Sequence, residues 1–396
     1  MAEAKLSELG TDRSVASLGE SLTFLESLRA PVAAPGLLRI ERLLAALGAP
    51  HADLDVVHVT GTNGKGSVSR FIDAALTAVG LRTGRYTSPH LEDVRERITI
   101  TGEPIAAGEF SRLVSLVEEV VDRWNDVDRP THFEALTAVG LLAFAGAGLD
   151  AHVLEVGIGG RVDATNVAVG RVAVVTNVEF DHTELLGSTR VAIALEKAGI
   201  IKPGAVAVIG ERDAGPRTAI VTHCAAVGAT PWRLGAEIRI VDDVATAFGR
   251  RIDVATPYGV IAGIEVPMHG QHQALNAALA AAASEAFLDR RLDGTTLSDA
   301  WRDLVNPGRF EIIEGPPTVV IDVAHNPHGV RALVDTLEER FPGRPRIVVV
   351  GINPHKDAEV MLARLQEGTR ALITTEVTNA PAIPARILGK LATELG

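Results

Sequence analysis

The amino-acid sequence predicts an α/β protein with two domains. Its 396 residues exceed the roughly 100–200 residues of an average domain. From about Leu54 onward, short runs rich in Val and Ile alternate with helix-like segments, which is the pattern of parallel βαβ units. Turn dipeptides interrupt this alternation at residues 293–308, and a second βαβ series follows. We expect a flexible N-terminus over 1–20, a large domain over 21–300 and a smaller domain over 301–396.

The elements of the large domain follow from the spacing of its apolar residues. Four short, β-branched strands are predicted at Leu54–Thr60, Ala151–Val156, Val172–Thr176 and Ala205–Ile209. Five helices are predicted at Val68–Val79, Gly108–Trp124, His132–Ala145, Val191–Gly199 and Gln271–Leu288. A segment of alternating character, Arg251–Val266, predicts short antiparallel strands appended to this domain.

The small domain repeats the pattern on a shorter scale. Its predicted strands are Thr318–Val323, Arg346–Val350 and Ala371–Thr375. Two helices, Gly329–Arg340 and Asp357–Glu367, separate them, so we expect a second parallel arrangement.

The acidic composition narrows the classes of partner. The chain has 38 basic and 50 acidic side chains, hence a formal net charge of −12, and it contains no Lys/Arg run. A duplex-binding protein usually shows a basic face, so we expect no nucleic-acid partner. An anionic ligand must then be held by a few local cations and helix ends, not by the overall field.

Cysteine usage and apolar runs indicate a cytoplasmic protein. The single cysteine, Cys224, excludes an intramolecular disulfide framework and fits a reducing compartment. The first 20 residues carry acidic side chains and lack the apolar stretch of a signal peptide. The most apolar stretch, Leu136–Leu149, is interrupted by glycine and is shorter than the ~20 residues of a membrane span. We therefore expect a buried helix there and no membrane partner.

A glycine-rich loop follows the first strong strand and precedes a helix. It reads T-G-T-N-G-K-G-S from Thr60 to Ser67. Glycines let the backbone N–H groups surround phosphate oxygens, Lys65 supplies a charge for the β- and γ-phosphates, and the Ser67 hydroxyl suits Mg²⁺. An ordinary glycine-rich turn is the alternative, because Gly66 departs from the usual phosphate-loop spacing, but the strand and helix around the loop favour a nucleotide site. The predicted nucleotide ligands are Thr62, Asn63, Gly64, Lys65, Gly66 and Ser67.

Further motifs follow the loop in a fixed order. They are Thr87-Ser88-Pro89-His90-Leu91, Glu96-Arg97-Ile98, His132-Phe133-Glu134, EVGIGGRVDATN from Glu155, DHTELLG from Asp181, Glu196-Lys197-Ala198-Gly199-Ile200, Pro307-Gly308-Arg309 and Asp322-Val323-Ala324-His325-Asn326-Pro327. Together with the loop, this set resembles folylpolyglutamate synthase/dihydrofolate synthase, a branch of the Mur ligase family, over roughly residues 20–380. The resemblance implies a P-loop Mur-ligase-type ATPase domain followed by a smaller Rossmann-like α/β domain.

The chain departs from the family pattern in three places. Val323 stands where the family usually has glycine, and the segment from Asn353 to Asp357 only partly matches the family's D-K-D segment. The family's C-terminal domain also usually runs several dozen residues further. Two alternatives follow: either the sequence is incomplete at its C-terminus, or the small domain is shortened and its sheet has an uncovered edge.

The resemblance implies an ATP-dependent amide ligase. Such an enzyme adds L-glutamate to dihydropteroate, to the γ-carboxyl group of (tetrahydro)folates, or to both, giving dihydrofolate and folylpolyglutamates. Because a carboxylate is a poor electrophile, ATP first converts it to an acyl phosphate, and this step needs cations around the transferring phosphoryl group. ATP and two Mg²⁺ ions are the implied cofactors. The implied partners are ATP, L-glutamate and the dihydropteroate or reduced folate acceptor. The resemblance also implies that the protein is a monomer.

The resemblance also implies the metal ligands. Ser88, Glu134 and His182 would join Ser67 of the loop as ligands, and Lys197 would carry a carbamate that binds metal. Each assignment has a structural alternative: Glu134 stabilises a helix N-terminus, His182 is a structural hydrogen-bonding residue, and Lys197 pairs with Glu196 on a solvated helix face. Burial or nearby cations would favour the uncharged amine that carbamylation requires.

The remaining implied residues bind nucleotide and acceptor. The resemblance assigns Arg309 to the ATP phosphates, Asp322 to the ribose or adenosine, and Asn276 to adenine, although helix-surface hydrogen bonding explains Asn276 almost equally well. His325 would face the reaction centre, so the catalytic set is Lys65, His182, Lys197 and His325. One wall of the acceptor site would consist of Phe133, Asp163, Ala164 and Thr165, with His325 near the acceptor and residues 29–39 as a cover. Phe133 is equally consistent with a core position.

Four other functions are possible from the sequence. A dinucleotide fingerprint at Gly157–Gly160 is rejected, because no suitable helix is predicted after it. A Mur-type ligase for a cell-wall precursor usually carries G-K-T in its loop and an additional N-terminal domain, whereas only about 50 residues precede the loop strand here. A nucleotide-dependent switch predicts a basic surface, which the composition lacks, and a pseudoenzyme stays open.

Overall fold

A computed structural model describes residues 16–28, 36–124, 129–377 and 381–396, which divide into two units. The first unit comprises the residues up to 241 with 253–264 and 276–304, and the second comprises 242–252, 265–275 and 305–396. The units interleave along the chain, whereas the sequence predicts a single division at residue 300. Residues 1–15 of the predicted flexible N-terminus lie outside the described residues.

The first unit is built on an eight-stranded sheet. Its strands are β1 (Val56–Thr60), β2 (Thr83–Tyr86), β3 (Ile98–Ile100), β4 (Glu103–Pro104), β5 (Ala151–Glu155), β6 (Gly170–Val175), β7 (Val206–Ile209) and β8 (Thr230–Arg233). They lie in the order β4-β3-β2-β5-β1-β6-β7-β8. Strand β1 pairs in parallel with β5 and β6, and only β3 and β4 run antiparallel to their neighbours. The predicted mostly parallel sheet is confirmed.

The central strands are buried along their whole length because both faces of the sheet are covered. Every residue of β1 and of β5 is buried. A sheet solvated on one face would instead alternate polar and apolar residues. The register pairs Val59 with Glu155 on one side and Thr60 with Val175 on the other. The carboxyl ends of β5, β1 and β6 therefore meet at one edge, where open α/β sheets bind ligands.

Helices surround this sheet. They are α1 (Leu18–Ser27), α2 (Leu38–Ala46), α3 (Lys65–Ala78), α4 (Ala107–Val121), α5 (His132–Ala147), α6 (Thr183–Leu186), α7 (Arg190–Ala198), α8 (Ala214–Val227), α9 (Gln271–Leu288) and α10 (Gly294–Trp301). Helix α5 contains most of the apolar stretch from Leu136 and is buried through Phe144, as predicted. No helix among the described residues is long and apolar enough to cross a membrane. The Trp301 indole donates to the Phe71 carbonyl at 2.9 Å, which fixes α10 on α3.

The segment of alternating character forms a separate three-stranded sheet. Its strands are β9 (Arg239–Thr246), β10 (Gly249–Thr256) and β11 (Gly259–Val266), in the order β11-β10-β9. The boundaries between the two units run through these strands and through α9. This explains why the units interleave.

The second unit contains two small sheets in its described part. Strands β12 (Glu311–Ile313) and β13 (Val319–Ile321) pair antiparallel, and β14 (Arg346–Val350) and β15 (Thr369–Thr374) pair in parallel. Helices α11 (Pro327–Arg340), α12 (Ala358–Gln366) and α13 (Ala385–Leu395) supply the apolar cluster of this unit. The β14–α12–β15 crossover is the predicted βαβ unit. The preceding predicted strand pairs with β12 and is not joined to this sheet.

Candidate active site

The glycine-rich loop leaves β1 and enters α3, as predicted. Gly64 is the residue before the helix and has φ +85°, a left-handed conformation that favours glycine. A Cβ at Gly64 would also overlap the amide oxygen of Asn276, and one at Gly61 would overlap the hydroxyl of Thr176. Both positions therefore exclude a side chain. Asn276, the predicted adenine ligand, is buried against this loop.

Asn177 anchors the loop, although the sequence analysis did not single it out. Its carbonyl and side-chain oxygens accept the N–H groups of Thr62 and Asn63, each at 3.0 Å. Its side-chain amide donates back to the Asn63 carbonyl at 3.1 Å. The position just after β6, at the carboxyl edge of the sheet, is the sequence signal that indicates this role.

Two side chains of the loop offer phosphate and metal chemistry. The Lys65 ammonium donates to the carbonyls of Gly61 at 3.0 Å and Thr62 at 3.3 Å, so its charge lies over the loop. The Ser67 side chain is buried in the first turn of α3. The free N–H groups at a helix N-terminus favour anions, so this loop can hold phosphate oxygens.

A buried carboxylate lies beside the loop and the predicted metal ligand Ser88. Glu155, the last residue of β5, accepts the Ser88 backbone N–H at 3.2 Å. Both of its carboxylate oxygens lie 3.7 Å from the Cβ position of Gly66. Hydroxyl and carboxylate oxygens are the hard ligands that Mg²⁺ prefers. Glu155 was part of a quoted motif but was not predicted as a ligand.

The carboxylate of Glu134, a predicted metal ligand, is hydrogen-bonded to other groups. Its two carboxylate oxygens accept the Nη2 and Nε groups of Arg39 at 3.0 and 3.1 Å. One of them also accepts the Thr131 N–H at 2.6 Å, in a capping box that starts α5. The Glu134 carboxylate therefore pairs with a cation and caps the start of a helix. This agrees with the alternative in which Glu134 stabilises a helix N-terminus. The structure favours Glu155 over Glu134 as the carboxylate beside Ser88.

His182 starts the short helix α6 in a left-handed conformation with φ +50°. Its side chain is 43% exposed, and its Nε2 lies 3.8 Å from a carboxylate oxygen of Asp181. The Asp181 side chain is nearly buried, so the pair presents an accessible imidazole beside a fixed anion.

Lys197 is a buried cation near the loop. Its burial, and then the positive charge of Lys65, lower the pKa of Lys197 to about 7, while Asp181 and Asp163 oppose this shift. The structural alternative of a solvated helix face is excluded by its exposure of 3%. Its neighbour Glu196 pairs instead with Arg161. A large fraction of the Lys197 amine is therefore uncharged near neutral pH.

The predicted acceptor wall assembles around Gly157. A Cβ on this glycine would overlap the ring of Phe133 and lie 3.1 Å from Oδ2 of Asp163. Phe133 is half-buried, with its ring centre 6.2 Å from that of Tyr86. Ala164 and Thr165 are buried in a 3₁₀ helix that Asp163 caps. Residues 29–35 of the predicted cover lie outside the described residues.

Asp163 is a desolvated carboxylate. Its Oδ2 accepts the Ile158 N–H at 3.0 Å, and its Oδ1 accepts the N–H and hydroxyl of Thr165 at 3.0 and 2.6 Å. Burial raises the pKa of Asp163, and these hydrogen bonds oppose the rise. A 3₁₀ helix follows Gly157–Gly160 where a dinucleotide site needs an α-helix, which agrees with the rejection of redox chemistry.

The second unit brings its own three predicted residues together. Asp322 accepts the N–H groups of Phe310 at 2.8 Å and Ala324 at 2.7 Å. Burial raises the pKa of Asp322, and the charges of Arg309 and His325 oppose this effect. Arg309 and His325 are exposed, so the group presents two cationic or proton-bearing side chains beside one carboxylate.

The described residues contain no group of three or more His, Cys, Asp or Glu side chains arranged to hold a metal ion. A site for Mg²⁺ does not require one, because Mg²⁺ keeps several waters and binds one or two carboxylates together with substrate phosphates. Ser67, Ser88 and Glu155 fit that sparse donor set.

Comparison with known proteins gives consistent matches along the chain. Residues 59–284 match the family model of the Mur ligase middle domain, and residues 308–395 match that of the Mur ligase glutamate ligase domain. The dihydrofolate synthase/folylpolyglutamate synthase of Mycobacterium tuberculosis is 37% identical over 379 residues, which cover 91% of this chain and 78% of that protein.

Solved structures extend the similarity to the fold. The M. tuberculosis folylpolyglutamate synthase complexed with ADP superposes with a TM-score of 0.90 at 36% identity, covering 96% of this chain and 86% of that one. Escherichia coli FolC in complex with DHPP and ADP gives a TM-score of 0.85 at 31% identity, covering 97% and 89%. This chain belongs to the Mur ligase family, in its folylpolyglutamate synthase/dihydrofolate synthase branch.

Proposed function

We propose that this protein joins the amino group of L-glutamate to the carboxyl group of dihydropteroate and to the γ-carboxyl group of reduced folates, at the expense of ATP. The single observation that carries the proposal is the juxtaposition of the glycine-rich loop with Ser88 and Glu155 at the carboxyl edge of the sheet. Family membership supplies the reaction class, an ATP-dependent acid–amino-acid ligase.

The first step makes the acceptor electrophilic. An acceptor carboxylate oxygen attacks the γ-phosphorus of ATP, the bond to the β–γ bridging oxygen breaks, and ADP leaves with both electrons of that bond. Lys65 and the N–H groups at the start of α3 are placed to hold the phosphates during this transfer. In the first unit, we assign Thr62, Asn63 and Asn276 to nucleotide binding. In the second unit, we assign Arg309 and Asp322 to nucleotide binding.

The second step forms the amide. The uncharged amine of glutamate attacks the acyl phosphate, the nitrogen loses a proton, and inorganic phosphate departs. His325 is exposed in the second unit and keeps one ring nitrogen 3.1 Å from the Val323 carbonyl. We assign it to the reacting end of the acceptor.

We assign Mg²⁺ to Ser67 at the loop and to Ser88 and Glu155 beside it, with His182 completing the second site. When bound, Mg²⁺ neutralises the charge that develops on the phosphoryl oxygens. Glu155 is buried and therefore holds its carboxylate in a fixed place. Because the chain as a whole is acidic, the anionic phosphates need such a local positive charge.

We further propose that Lys197 is carbamylated. Its amine nitrogen attacks carbon dioxide, a C–N bond forms, and one proton is released to leave an anionic carbamate. The pKa of about 7, which burial and Lys65 produce, supports this chemistry because only the neutral amine is nucleophilic. The carbamate would offset the charge of Lys65. ¹³C NMR of protein in ¹³C-bicarbonate tests the assignment, and a spectrum that Lys197→Arg leaves unchanged contradicts it.

The acceptor wall of Phe133, Gly157 and Asp163 supports a planar, aromatic acceptor. The half-buried Phe133 supplies a ring surface, with the buried Tyr86 ring behind it, and Asp163 supplies a carboxylate for N–H groups. We place the protein in the cytoplasm as a monomer, and its single, buried cysteine and net charge of −12 support that placement.

The experiment measures phosphate release with ATP, Mg²⁺ and L-glutamate, comparing dihydropteroate and tetrahydrofolate as acceptors. Both acceptors are expected to stimulate release. Lys65→Ala is expected to lower kcat about 10²- to 10³-fold, as for removal of a key electrostatic group in other enzymes. Lys390→Ala is the matched control, because Lys390 is 79% exposed. A folded wild-type protein that binds ATP but shows no acceptor-stimulated release contradicts the proposal and favours a pseudoenzyme.

A second pair of variants tests the choice between the two glutamates. Glu155→Gln is expected to raise the Mg²⁺ concentration for half-maximal activity by about tenfold or more, because even outer partners of metal ligands contribute roughly that much. Glu134→Gln is expected to leave the Mg²⁺ requirement unchanged and to lower the thermal stability, since it weakens the pair with Arg39. The reverse pattern would restore Glu134 as the ligand.

A further inference from the structure

His58 is a buried histidine that the proposed reaction does not use. It lies in the middle of β1, opposite Leu154 of β5 and Ala173 of β6, and it is fully buried. An apolar residue would fill this position without the cost of removing an imidazole from water. The Nδ1 atom has no hydrogen-bond partner among the described residues, which adds to that cost. The core alone gives no reason for a histidine here.

The other ring nitrogen of His58 points to the acceptor wall. Its Nε2 lies 2.8 Å from the hydroxyl oxygen of Thr165. That hydroxyl donates to Oδ1 of Asp163 at 2.6 Å. A hydroxyl carries one proton, so the oxygen of Thr165 must accept from His58. The hydrogen bonds therefore run in one direction, from His58 through Thr165 to Asp163.

This direction fixes the tautomer of His58. The proton resides on Nε2, and Nδ1 carries the lone pair. Burial, and then the charge of Lys202, lower the pKa of His58 to about 3, so the ring stays neutral across the physiological range. A neutral donor of this kind orients the hydroxyl of Thr165 without placing a second charge beside Asp163.

We propose that His58 is a positioning residue for the acceptor site. It orients the hydroxyl of Thr165, which holds the carboxylate of Asp163 against Gly157 and Phe133. This inference rests on the proposed function in one respect, namely that the acceptor binds at this wall. We expect their substitution to affect acceptor binding and not ATP binding. No hydrogen bond described above joins His58, Thr165 or Asp163 to the glycine-rich loop or to its anchor Asn177.

The first test changes the middle of this chain of hydrogen bonds. Thr165→Val removes the hydroxyl at nearly constant volume, whereas Thr165→Ser keeps it. We expect Thr165→Val to raise the KM for dihydropteroate about five- to tenfold, as for loss of one buried hydrogen bond, with the KM for ATP unchanged. Thr165→Ser is expected to restore most of the wild-type KM. Equal KM values in both variants and wild type would overturn the proposal.

A matched control separates this effect from the loss of any buried threonine. Thr83 is also fully buried, and its hydroxyl donates to Asp73 at the same distance of 2.6 Å. Thr83→Val is expected to lower stability and to leave the acceptor KM unchanged. If it raised the acceptor KM as much as Thr165→Val does, the effect would be structural and the proposal would be wrong.

A double-mutant cycle then links His58 to Thr165. His58→Leu is expected to raise the acceptor KM by a similar factor, and the double variant is expected to show little further change, since both remove the same interaction. Multiplicative effects would show that His58 acts independently. If His58→Leu does not fold, the Thr165 pair and the spectroscopic test below decide the question.

The spectroscopic test does not depend on activity. ¹⁵N NMR of histidine-labelled protein is expected to show His58 as the neutral Nε2–H tautomer from pH 5 to 8, with a changed Nε2 shift in Thr165→Val. A charged or Nδ1–H ring overturns the proposal. A wild-type protein with this tautomer but no acceptor-stimulated phosphate release would instead count against the proposed function.

Discussion

The parallel strands of the two units differ in how much of them is covered. In the first unit, all five residues of β1 and of β5 are buried. In the second unit, β14 alternates, and its residues Ile347 and Val349 are 67% and 65% exposed. Helices α11, α12 and α13 supply the apolar cluster that covers the less exposed residues of β14.

This difference bears on where a fixed site can be built. A strand buried on both faces holds the loop at its carboxyl end in one position, because neighbouring strands and helices restrain it from every side. The glycine-rich loop and Ser88 follow such strands, and Glu155 is the last residue of one. In the second unit, the strand-end residue Asp322 is instead held by two backbone N–H groups. The three predictions below set a position in one unit against a matched position in the other.

The largest contrast is expected from one substitution placed on each sheet. Val153→Asp puts a carboxylate at a position of β5 with 0% exposure, and Val349→Asp puts one on the exposed face of β14. Burial of an unpaired carboxylate costs several kcal/mol or forces its protonation, so we expect Val153→Asp to prevent folding at neutral pH. Val349→Asp is expected to change the free energy of unfolding by no more than about 0.5 kcal/mol. Circular dichroism during urea unfolding measures both, and similar losses would contradict the contrast.

Two lysines, Lys197 in the first unit and Lys390 in the second, extend the comparison to the pH dependence of the free energy of unfolding. The pKa of Lys197 is lowered from 10.5 to about 7. Between these values the unfolded chain binds the proton and the folded chain does not, so the Lys197 contribution to the free energy of unfolding rises with pH from about 7 to about 10.5. This lowering of the Lys197 pKa corresponds to at most about 5 kcal/mol.

Because other groups also titrate in this range, the measurement compares each variant with the wild type in buffer free of carbon dioxide. Lys197→Met is expected to be more stable than wild type below pH 7, with an advantage that shrinks toward pH 10. Lys390→Met, at an exposed position of the second unit, is expected to give a difference that does not vary with pH. A constant difference for Lys197→Met would show that its amine is not held uncharged.

The smallest effect separates backbone strain from crowding. Gly64 and Gly343 both have positive φ values, +85° and +66°, but only Gly64 has a neighbour, Asn276, within reach of an added Cβ. Gly343→Ala is expected to cost about 1 kcal/mol from backbone conformation alone. Gly64→Ala is expected to cost about 1–3 kcal/mol more and to weaken ATP binding, because Asn276 must move. Calorimetric titration with ATP measures the second effect, which Gly343→Ala is expected to lack.

The sequence predicts the elements whose pattern is local and strong. Strand β1, helix α5 and the β14–α12–β15 crossover appear within a few residues of their predicted bounds. Strands β2 and β8 were not predicted. Strand β2 reads T-G-R-Y, and its burial comes from β5 and α3, so nothing in its own four residues indicates a buried strand.

The site divides in the same way. The phosphate loop follows from glycine spacing and strand–helix context alone, because the chemistry needs those residues in sequence. The choice of Glu155 over Glu134 does not follow from the sequence, because both glutamates lie in the motifs named above and both are buried. Contacts distant in sequence distinguish them: Arg39, 95 residues away, pairs with Glu134, and the Ser88 N–H donates to Glu155.

What the sequence determined by itself is the class of protein: a parallel α/β sheet, a nucleotide loop at the end of its first strand, and a branch of a ligase family. These follow from periodicity and from contiguous motifs, which act over a few residues. The tertiary structure decided which carboxylate stands beside Ser88, which amine is desolvated, and which histidine lies against the hydroxyl of Thr165. Each of these depends on the approach of residues distant in sequence, because desolvation and hydrogen bonding act through space and not along the chain.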